Sequence, residues 1–124
     1  MLKQRSGGFG NGMEMIMKFL SRLFKRRPEW YEPADPTPRE QCPCCDYISL
    51  PERNNYLICP ICFWEDDGQD LDELEKSSVP NQRITLREGR QNFLNYGACT
   101  KDMLKNVIKP EERGKCEHRP RQTK

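Results

Sequence analysis

The chain has 124 residues, of which 35% are apolar and 32% charged, and its formal net charge is +2. This length fits one small domain with tails, and the mean hydropathy of −0.96 is too low for a large hydrophobic core. We therefore expect the folded part to depend on a metal ion, on disulfides or on a partner. We expect no transmembrane span, because the chain has no run of about 18 apolar residues.

The N-terminal third divides into three segments with different composition. Residues 1–12 are polar and glycine-rich, which predicts a disordered lead. In residues 13–27, apolar side chains recur at helical spacing and basic side chains line another face, which predicts an amphipathic basic helix. Such a helix suits peripheral contact with an anionic membrane or docking against protein. Prolines stiffen residues 28–38 into an extended linker, so the folded domain is predicted over residues 39–109.

Four of the seven cysteines form two C-x-x-C pairs, and these are Cys42, Cys45, Cys59 and Cys62. This spacing predicts that four thiolates converge on one tetrahedral metal ion, for which Zn²⁺ is the best fit. Iron fits the same four sulfurs, and a thiol redox pair is the alternative to metal binding. Because protein ligands fill every position around such an ion, we expect a structural centre and no catalytic residue.

The remaining cysteines bear on the cellular setting and on redox chemistry. An odd number of clustered cysteines without a convincing secretory signal favours a reducing, cytoplasmic setting over a disulfide framework. Cys44 lies inside the first C-x-x-C pair and should point away from the ion. It is interpreted either as a packed or solvent-facing thiol, or as a redox thiol that could displace a ligand. The single histidine, His118, gives no support for a His-based zinc enzyme.

The stretch between the two pairs predicts a β-hairpin. Tyr47–Leu50 and Tyr56–Ile58 are β-prone runs, and turn-forming residues separate them. Such a hairpin would bring the two C-x-x-C pairs together around the ion. Residues 65–76 are acidic and are predicted to form an exposed loop or a short helix.

Two helices are predicted after the acidic stretch. Thr85 and Glu88 have capping-box spacing and Gly97 suits a helix end, which predicts a helix over residues 85–97. A second helix is predicted over residues 101–109, and a disordered basic tail over residues 110–124. The predicted fold class is therefore a small α+β zinc-ribbon or rubredoxin-like module, a metal-stapled hairpin followed by two short helices.

Three separated motifs now appear in order along the chain: CPCCDY at 42–47, ICPICFWEDDG at 58–68 and ITLREGRQNFLNYGA at 84–98. Together they resemble the bacterial cysteine-rich CPCC family over residues 40–110. The resemblance implies a small presumed zinc-binding protein without an established activity, with the four paired cysteines as ligands. Asp46 departs from the usual pattern, because such turns often have glycine there.

Charge is segregated along the chain and bears on the kind of partner. The net charge is +3 over residues 1–38, −4 over residues 39–108 and +3 over residues 109–124. Nucleic-acid binding needs clustered basic side chains. An alternative role as a nucleic-acid-associated zinc ribbon would therefore rely on the two basic ends and should be weak and non-specific.

A protein-interaction module is the preferred function, with an inhibitor or immunity-type partner as one form of it. The candidate contact residues are Phe63, Trp64, Glu65, Asp66 and Asp67. A second alternative is a metal-dependent enzyme that uses the acidic loop 65–73. We expect no enzymatic activity.

Overall fold

The computed structural model describes residues 31–123. The chain divides into two units, Met1–Glu32 and Pro33–Lys124, and the described residues belong almost entirely to the second. The predicted disordered lead (residues 1–12) and amphipathic helix (residues 13–27) lie outside the described part. Within that part, no helix is both long and apolar enough to cross a membrane.

Regular structure is sparse in the described residues. The strands are β1 (Glu40–Gln41) and β2 (Ile48–Leu50), the α-helix is α1 (Leu86–Tyr96), and 3₁₀ helices lie at Leu71–Glu73, Val79–Asn81, Lys101–Asn106 and Pro110–Lys115. This arrangement confirms the coarse prediction of a small module with one two-stranded antiparallel hairpin and few helices.

The predicted pairing of the hairpin strands is wrong. Strand β2 pairs with β1 and not with Tyr56–Ile58, so that Glu40 lies opposite Leu50. Ile58 instead forms a bridge with Glu65. Each C-x-x-C turn is therefore closed by its own antiparallel pairing, β1 with β2 at the first turn and Ile58 with Glu65 at the second. The sequence pattern missed this because β1 is only two residues long, too short to show a strand period.

Helix α1 begins and ends where local signals predict. The Thr85 side chain accepts a hydrogen bond from the Glu88 amide, and the Glu88 carboxylate accepts one from the Thr85 amide. Gly97 ends the helix with a φ of +96°, a left-handed conformation that glycine adopts at low cost. The prediction of a helix over residues 85–97 is confirmed.

The second predicted helix and the predicted disordered tail differ from the structure. Residues 101–106 form a 3₁₀ helix that ends before Ile108, whose amide donates to the Pro60 carbonyl at 3.0 Å. This tether between distant positions prevents a continuous α-helix over residues 101–109. After a further 3₁₀ helix at Pro110–Lys115, the chain runs along the first C-x-x-C turn, where polar contacts hold it.

Cysteines make up much of the small core. Among the described residues, six of the eleven buried apolar residues are cysteines, and the largest side chains beside them are Trp64, Leu50, Ile61 and Leu86. A thiol buries little apolar area compared with leucine or phenylalanine. The core is therefore too small to stabilise this fold by hydrophobic burial alone, as the composition predicts.

Gly89 allows α1 to pack against this core. A Cβ atom there would lie 2.8 Å from Cζ3 of Trp64 and 3.3 Å from Sγ of Cys44. The close approach places the helix over the indole ring and over the back of the first C-x-x-C turn.

Candidate metal centre

The first C-x-x-C pair lies in a tight turn, the first knuckle (Cys42–Tyr47). The Cys42 amide donates to the Tyr47 carbonyl at 2.8 Å, and the Asp46 amide donates to the Cys42 carbonyl at 3.0 Å. Asp46 has a φ of +67°, in the left-handed region that favours glycine. Aspartate visits this region more readily than most side chains do, so the turn forms without glycine.

The second pair repeats the same turn, the second knuckle (Cys59–Trp64). The Cys59 amide donates to the Trp64 carbonyl at 2.9 Å, and the Phe63 amide donates to the Cys59 carbonyl at 2.8 Å. Phe63 has a φ of +68° and lacks the local advantage of aspartate. This knuckle therefore carries backbone strain of about 1–2 kcal/mol that other interactions offset.

The two knuckles bring four sulfur atoms together, as the spacing predicts. The Sγ atoms of Cys42 and Cys62 are 3.6 Å apart and those of Cys45 and Cys59 are 3.7 Å apart. All four Sγ atoms lie within 4.8 Å of one another, and all four residues are buried. Metal–sulfur bonds of about 2.3 Å in a tetrahedron place sulfurs roughly 3.8 Å apart, so the cluster fits one ion.

The electrostatics of the cluster call for a cation. Burial raises the pKa of the Cys42 and Cys62 thiols well above 9.0 and also raises that of Cys45. Burial opposes ionisation of Cys59 too, but hydrogen bonds from its neighbours bring its pKa well below 9.0. Four adjacent thiolates repel one another unless a positive ion lies between them. A bound divalent ion would deprotonate all four and leave a net charge of −2.

Polar groups around the cluster orient the ligands. The Ser49 hydroxyl lies 3.0 Å from Sγ of Cys59, and the Ile61 amide donates to the same sulfur at 3.4 Å. Hydrogen bonds to a metal-bound sulfur fix its direction and stabilise its charge. The cluster thus combines four candidate ligands with a supporting shell, an arrangement compatible with a structural metal site.

Cys44 does not belong to the four-sulfur group. Among the described residues, the group that can hold a metal ion consists of the two cysteine pairs alone. Cys44 is buried under α1, close to Gly89, so it is packed and not facing solvent. Its predicted role as a redox thiol stays a prediction, with burial limiting the access of oxidants. Cys99 is buried as well, and burial raises its pKa to about 12.

Two of the predicted partner-contact residues are not on the surface. Trp64 and Asp66 are both fully buried, whereas Phe63, Glu65 and Asp67 are half-buried. Trp64 packs below α1 as part of the core. Trp64 and Asp66 therefore present no exposed side chain to a partner, and the predicted contact surface itself stays a prediction.

The acidic loop is built around the Asp66 carboxylate. It accepts hydrogen bonds from Nε of Arg53 at 3.0 Å, from the Asn54 amide and from the Gly68 amide. The neighbouring Asp67 accepts from the Ser78 hydroxyl at 2.8 Å. These carboxylate oxygens already stabilise the loop, so they are poorly placed to hold a second metal or to act as general acid and base.

Sequence reasoning missed the group of charges beside the first knuckle. The Asp46 carboxylate accepts two hydrogen bonds from Arg90 at 2.8 Å and one from Nε of Arg121 at 2.9 Å. Burial alone would raise the pKa of Asp46, but these donors outweigh burial and hold the pKa below 3.8. The sequence does contain a signal for this group of charges, because Asp46 places a carboxylate at a position where such turns usually have glycine.

Comparison with known proteins agrees with this geometry. The sequence model of one family, described as cysteine-rich CPCC, matches residues 40–114. This range is more than half of the chain and includes both knuckles and α1. Curated proteins and solved structures gave no match. The chain therefore belongs to the cysteine-rich CPCC family.

Proposed function

We propose that this protein binds one structural Zn²⁺ through its two knuckles and serves as a protein-interaction module. The observation that carries the metal assignment is the buried group of four sulfurs, all within 4.8 Å of one another. Thiolate ligands in a tetrahedron favour Zn²⁺, and the same ligands accept iron. Zinc chemistry also explains how so small a core folds, because binding free energy becomes folding free energy.

Replacement of single cysteines by serine tests the ligand set. Cys42→Ser, Cys45→Ser, Cys59→Ser and Cys62→Ser should each lose tight zinc binding. Cys44→Ser and Cys99→Ser are matched controls, because both residues are buried outside the group of four. Zinc per chain is measured after gel filtration. Full zinc content in any of the first four variants, or zinc loss in the controls, would overturn the assignment.

Cobalt substitution tests the coordination independently. Co²⁺ held by four thiolates in a tetrahedron gives intense sulfur-to-metal charge-transfer and visible ligand-field bands. The wild-type protein should show both sets of bands at one equivalent of Co²⁺, and excess Zn²⁺ should remove them. A spectrum of six-coordinate cobalt would argue against the centre.

The interaction role rests on the exposed part of the acidic loop. With Trp64 and Asp66 buried, the carboxylates of this loop that are exposed are those of Asp72 and Glu73. An acidic surface suits a partner with a basic surface. The rigid centre would position this loop without taking part in chemistry.

A paired charge reversal tests this surface. Asp72→Lys with Glu73→Lys should abolish capture of a partner that wild-type, zinc-loaded protein retains at low salt and releases at high salt. Glu111→Lys with Glu112→Lys is the matched control, since those carboxylates are also exposed on a 3₁₀ helix. Equal capture by both double variants would contradict an interaction through the acidic loop.

The remaining alternatives receive less support. A basic C-terminal tail free to bind nucleic acid is less plausible, because Arg121 is held by Asp46 and Asp70. An enzyme that uses the acidic loop would need free carboxylates, whereas those of Asp66 and Asp67 accept hydrogen bonds within the domain. We therefore propose no catalytic role.

A further inference from the structure

Residues 117–121, the C-terminal segment, lie along the first knuckle. The Ile48 amide donates to the Glu117 carbonyl at 2.8 Å, and the Arg119 amide donates to the Asp46 carbonyl at 3.0 Å. The His118 ring stacks on Tyr47 with ring centroids 4.2 Å apart. The segment thus extends the hydrogen bonding of β2 at its outer edge and covers the turn that carries Cys45.

Arg121 makes the ionic contacts that link this segment to the first knuckle and to the acidic loop. Its amide donates to the Asp46 carboxylate at 2.8 Å, and its Nε donates to the same carboxylate at 2.9 Å. Its Nη1 also donates to Asp70 at 3.2 Å. One guanidinium therefore joins the first knuckle to the acidic loop. The Asp46 side chain is 5% exposed and that of Arg121 is 30% exposed, so solvent screens the pair only in part.

These contacts continue into a chain of alternating charges. Arg90, which lies on α1, donates to the Asp46 carboxylate, and Arg53 donates to the Asp70 carboxylate at 2.8 Å. Asp46 is thus fixed from two elements, at the residue whose left-handed φ shapes the first knuckle. The second knuckle is tied differently, by neutral backbone bonds such as the one from the Cys99 amide to the Cys62 carbonyl at 2.7 Å.

The C-terminal segment forms one wall of a cavity beside the first knuckle. The cavity has a volume of about 380 Å³, and its lining includes Cys45 together with Pro120 and Arg121. If the segment moved away, one wall of this cavity would be lost. Water and chelators could then approach the knuckle from the side of Cys45.

We propose that Arg121 is a positioning residue of the metal centre, which holds the C-terminal segment against the first knuckle and slows release of the metal. This inference rests on the proposed function, that the centre holds Zn²⁺. Loss of a group that hydrogen-bonds directly to a metal ligand typically weakens metal binding about 10–100-fold, and Arg121 acts one step further out, through Asp46. We expect Arg121→Ala to release zinc about tenfold faster than wild type, at the lower end of that range.

Zinc release from the full-length, zinc-loaded protein into a chromogenic chelator tests the proposal. Arg119→Ala is the matched control, because within residues 31–123 that side chain pairs only with the exposed Glu117 of the same segment. It should release zinc at the wild-type rate. Arg121→Lys keeps one charge but cannot bridge two carboxylates with a planar fork, so its rate should lie in between. If Arg121→Ala does not fold, the zinc-release rate of Arg121→Lys is the test instead. A rate equal to that of wild type would then overturn the proposal.

Amide exchange separates positioning from a general loss of stability. In Arg121→Ala, exchange of the Asp46 amide should become faster while exchange of the Phe63 amide, its counterpart in the second knuckle, stays unchanged. Equal acceleration in both knuckles, or a release rate equal to wild type, would overturn the proposal. A wild-type protein without zinc would overturn the proposed function as well. A zinc-loaded wild type with an unaffected Arg121→Ala variant would overturn this inference alone.

Discussion

At the scale of single residues, Gly89 shows how little space separates α1 from the core. A Cβ atom at this position would contact the ring of the fully buried Trp64 at 2.8 Å. The ring packs among the buried cysteines of the core. Glycine weakens a helix interior by roughly 1 kcal/mol relative to alanine, so its presence here reflects packing.

We predict that Gly89→Ala lowers the free energy of unfolding by about 1–3 kcal/mol, because the cost of overpacking exceeds the gain in helix propensity. Urea unfolding of the zinc-loaded protein measures this. Gly114→Ala is the control, since a Cβ atom there meets nothing within 4 Å. A Gly89→Ala protein as stable as wild type would show that the helix can move away from Trp64.

The Asp66 carboxylate is a second residue with a structural role. Its side chain is fully buried, and Arg53 is its charged partner. We predict that Asp66→Asn destabilises the protein by about 1–3 kcal/mol, because Arg53 loses one of its two carboxylate partners and the single amide oxygen cannot accept every hydrogen bond that the carboxylate accepts. Asp72→Asn, at an exposed position in the same loop, should be nearly neutral. Equal stability of the two variants in thermal unfolding would contradict the assignment.

At the scale of elements, the first knuckle depends on a carboxylate where glycine is usual. Asp46→Asn keeps the tolerance for a left-handed φ but removes the charge that Arg90 and Arg121 share. We predict about tenfold weaker zinc binding, measured by competition with a chelator of known affinity. If Asp46→Asn and Asp46→Gly both bind zinc like wild type, the ion pairs do not support the knuckle.

The elements that could be predicted from sequence are those specified by neighbouring residues. The C-x-x-C spacing sets each knuckle, and the Thr85–Glu88 capping box with Gly97 sets the bounds of α1. Strand β1 could not be predicted, because two residues carry no pattern of their own. The helix over residues 101–109 was predicted from local propensity, and a contact between Ile108 and Pro60 overrode it.

At the scale of the whole molecule, contacts between distant parts of the chain escaped prediction. Arg121 and Asp46 are 75 positions apart, and composition alone marked the segment that carries Arg121 as disordered. Partly buried ion pairs of this kind depend on geometry that no short pattern encodes. The cluster of four cysteines could be predicted because tetrahedral metal coordination restricts both the spacing and the residue type.

As pH falls, the fold should be lost first because the thiolates are protonated, before protonation of the carboxylates destabilises it. Ion pairing holds the pKa of Asp46 and Asp70 below 3.8, so their stabilising effect is present above that pH and is lost only as pH falls further. Metal binding requires thiolates and weakens as protons compete for them. We predict that zinc release, measured with a zinc-sensitive dye, coincides with loss of tertiary structure at a pH above 3.8. Unfolding only below that pH, with zinc still bound, would contradict this order.

Removal of the metal tests the central claim most directly. The near-ultraviolet circular dichroism of the zinc-loaded protein reports the fixed environment of Trp64, which is fully buried between the knuckles and α1. We predict one zinc per chain, loss of this signal when a strong chelator removes the ion under reducing conditions, and its return when one equivalent of Zn²⁺ is added. A metal-free protein that keeps the full signal, and that does not respond to chelator or to added zinc, would contradict the account.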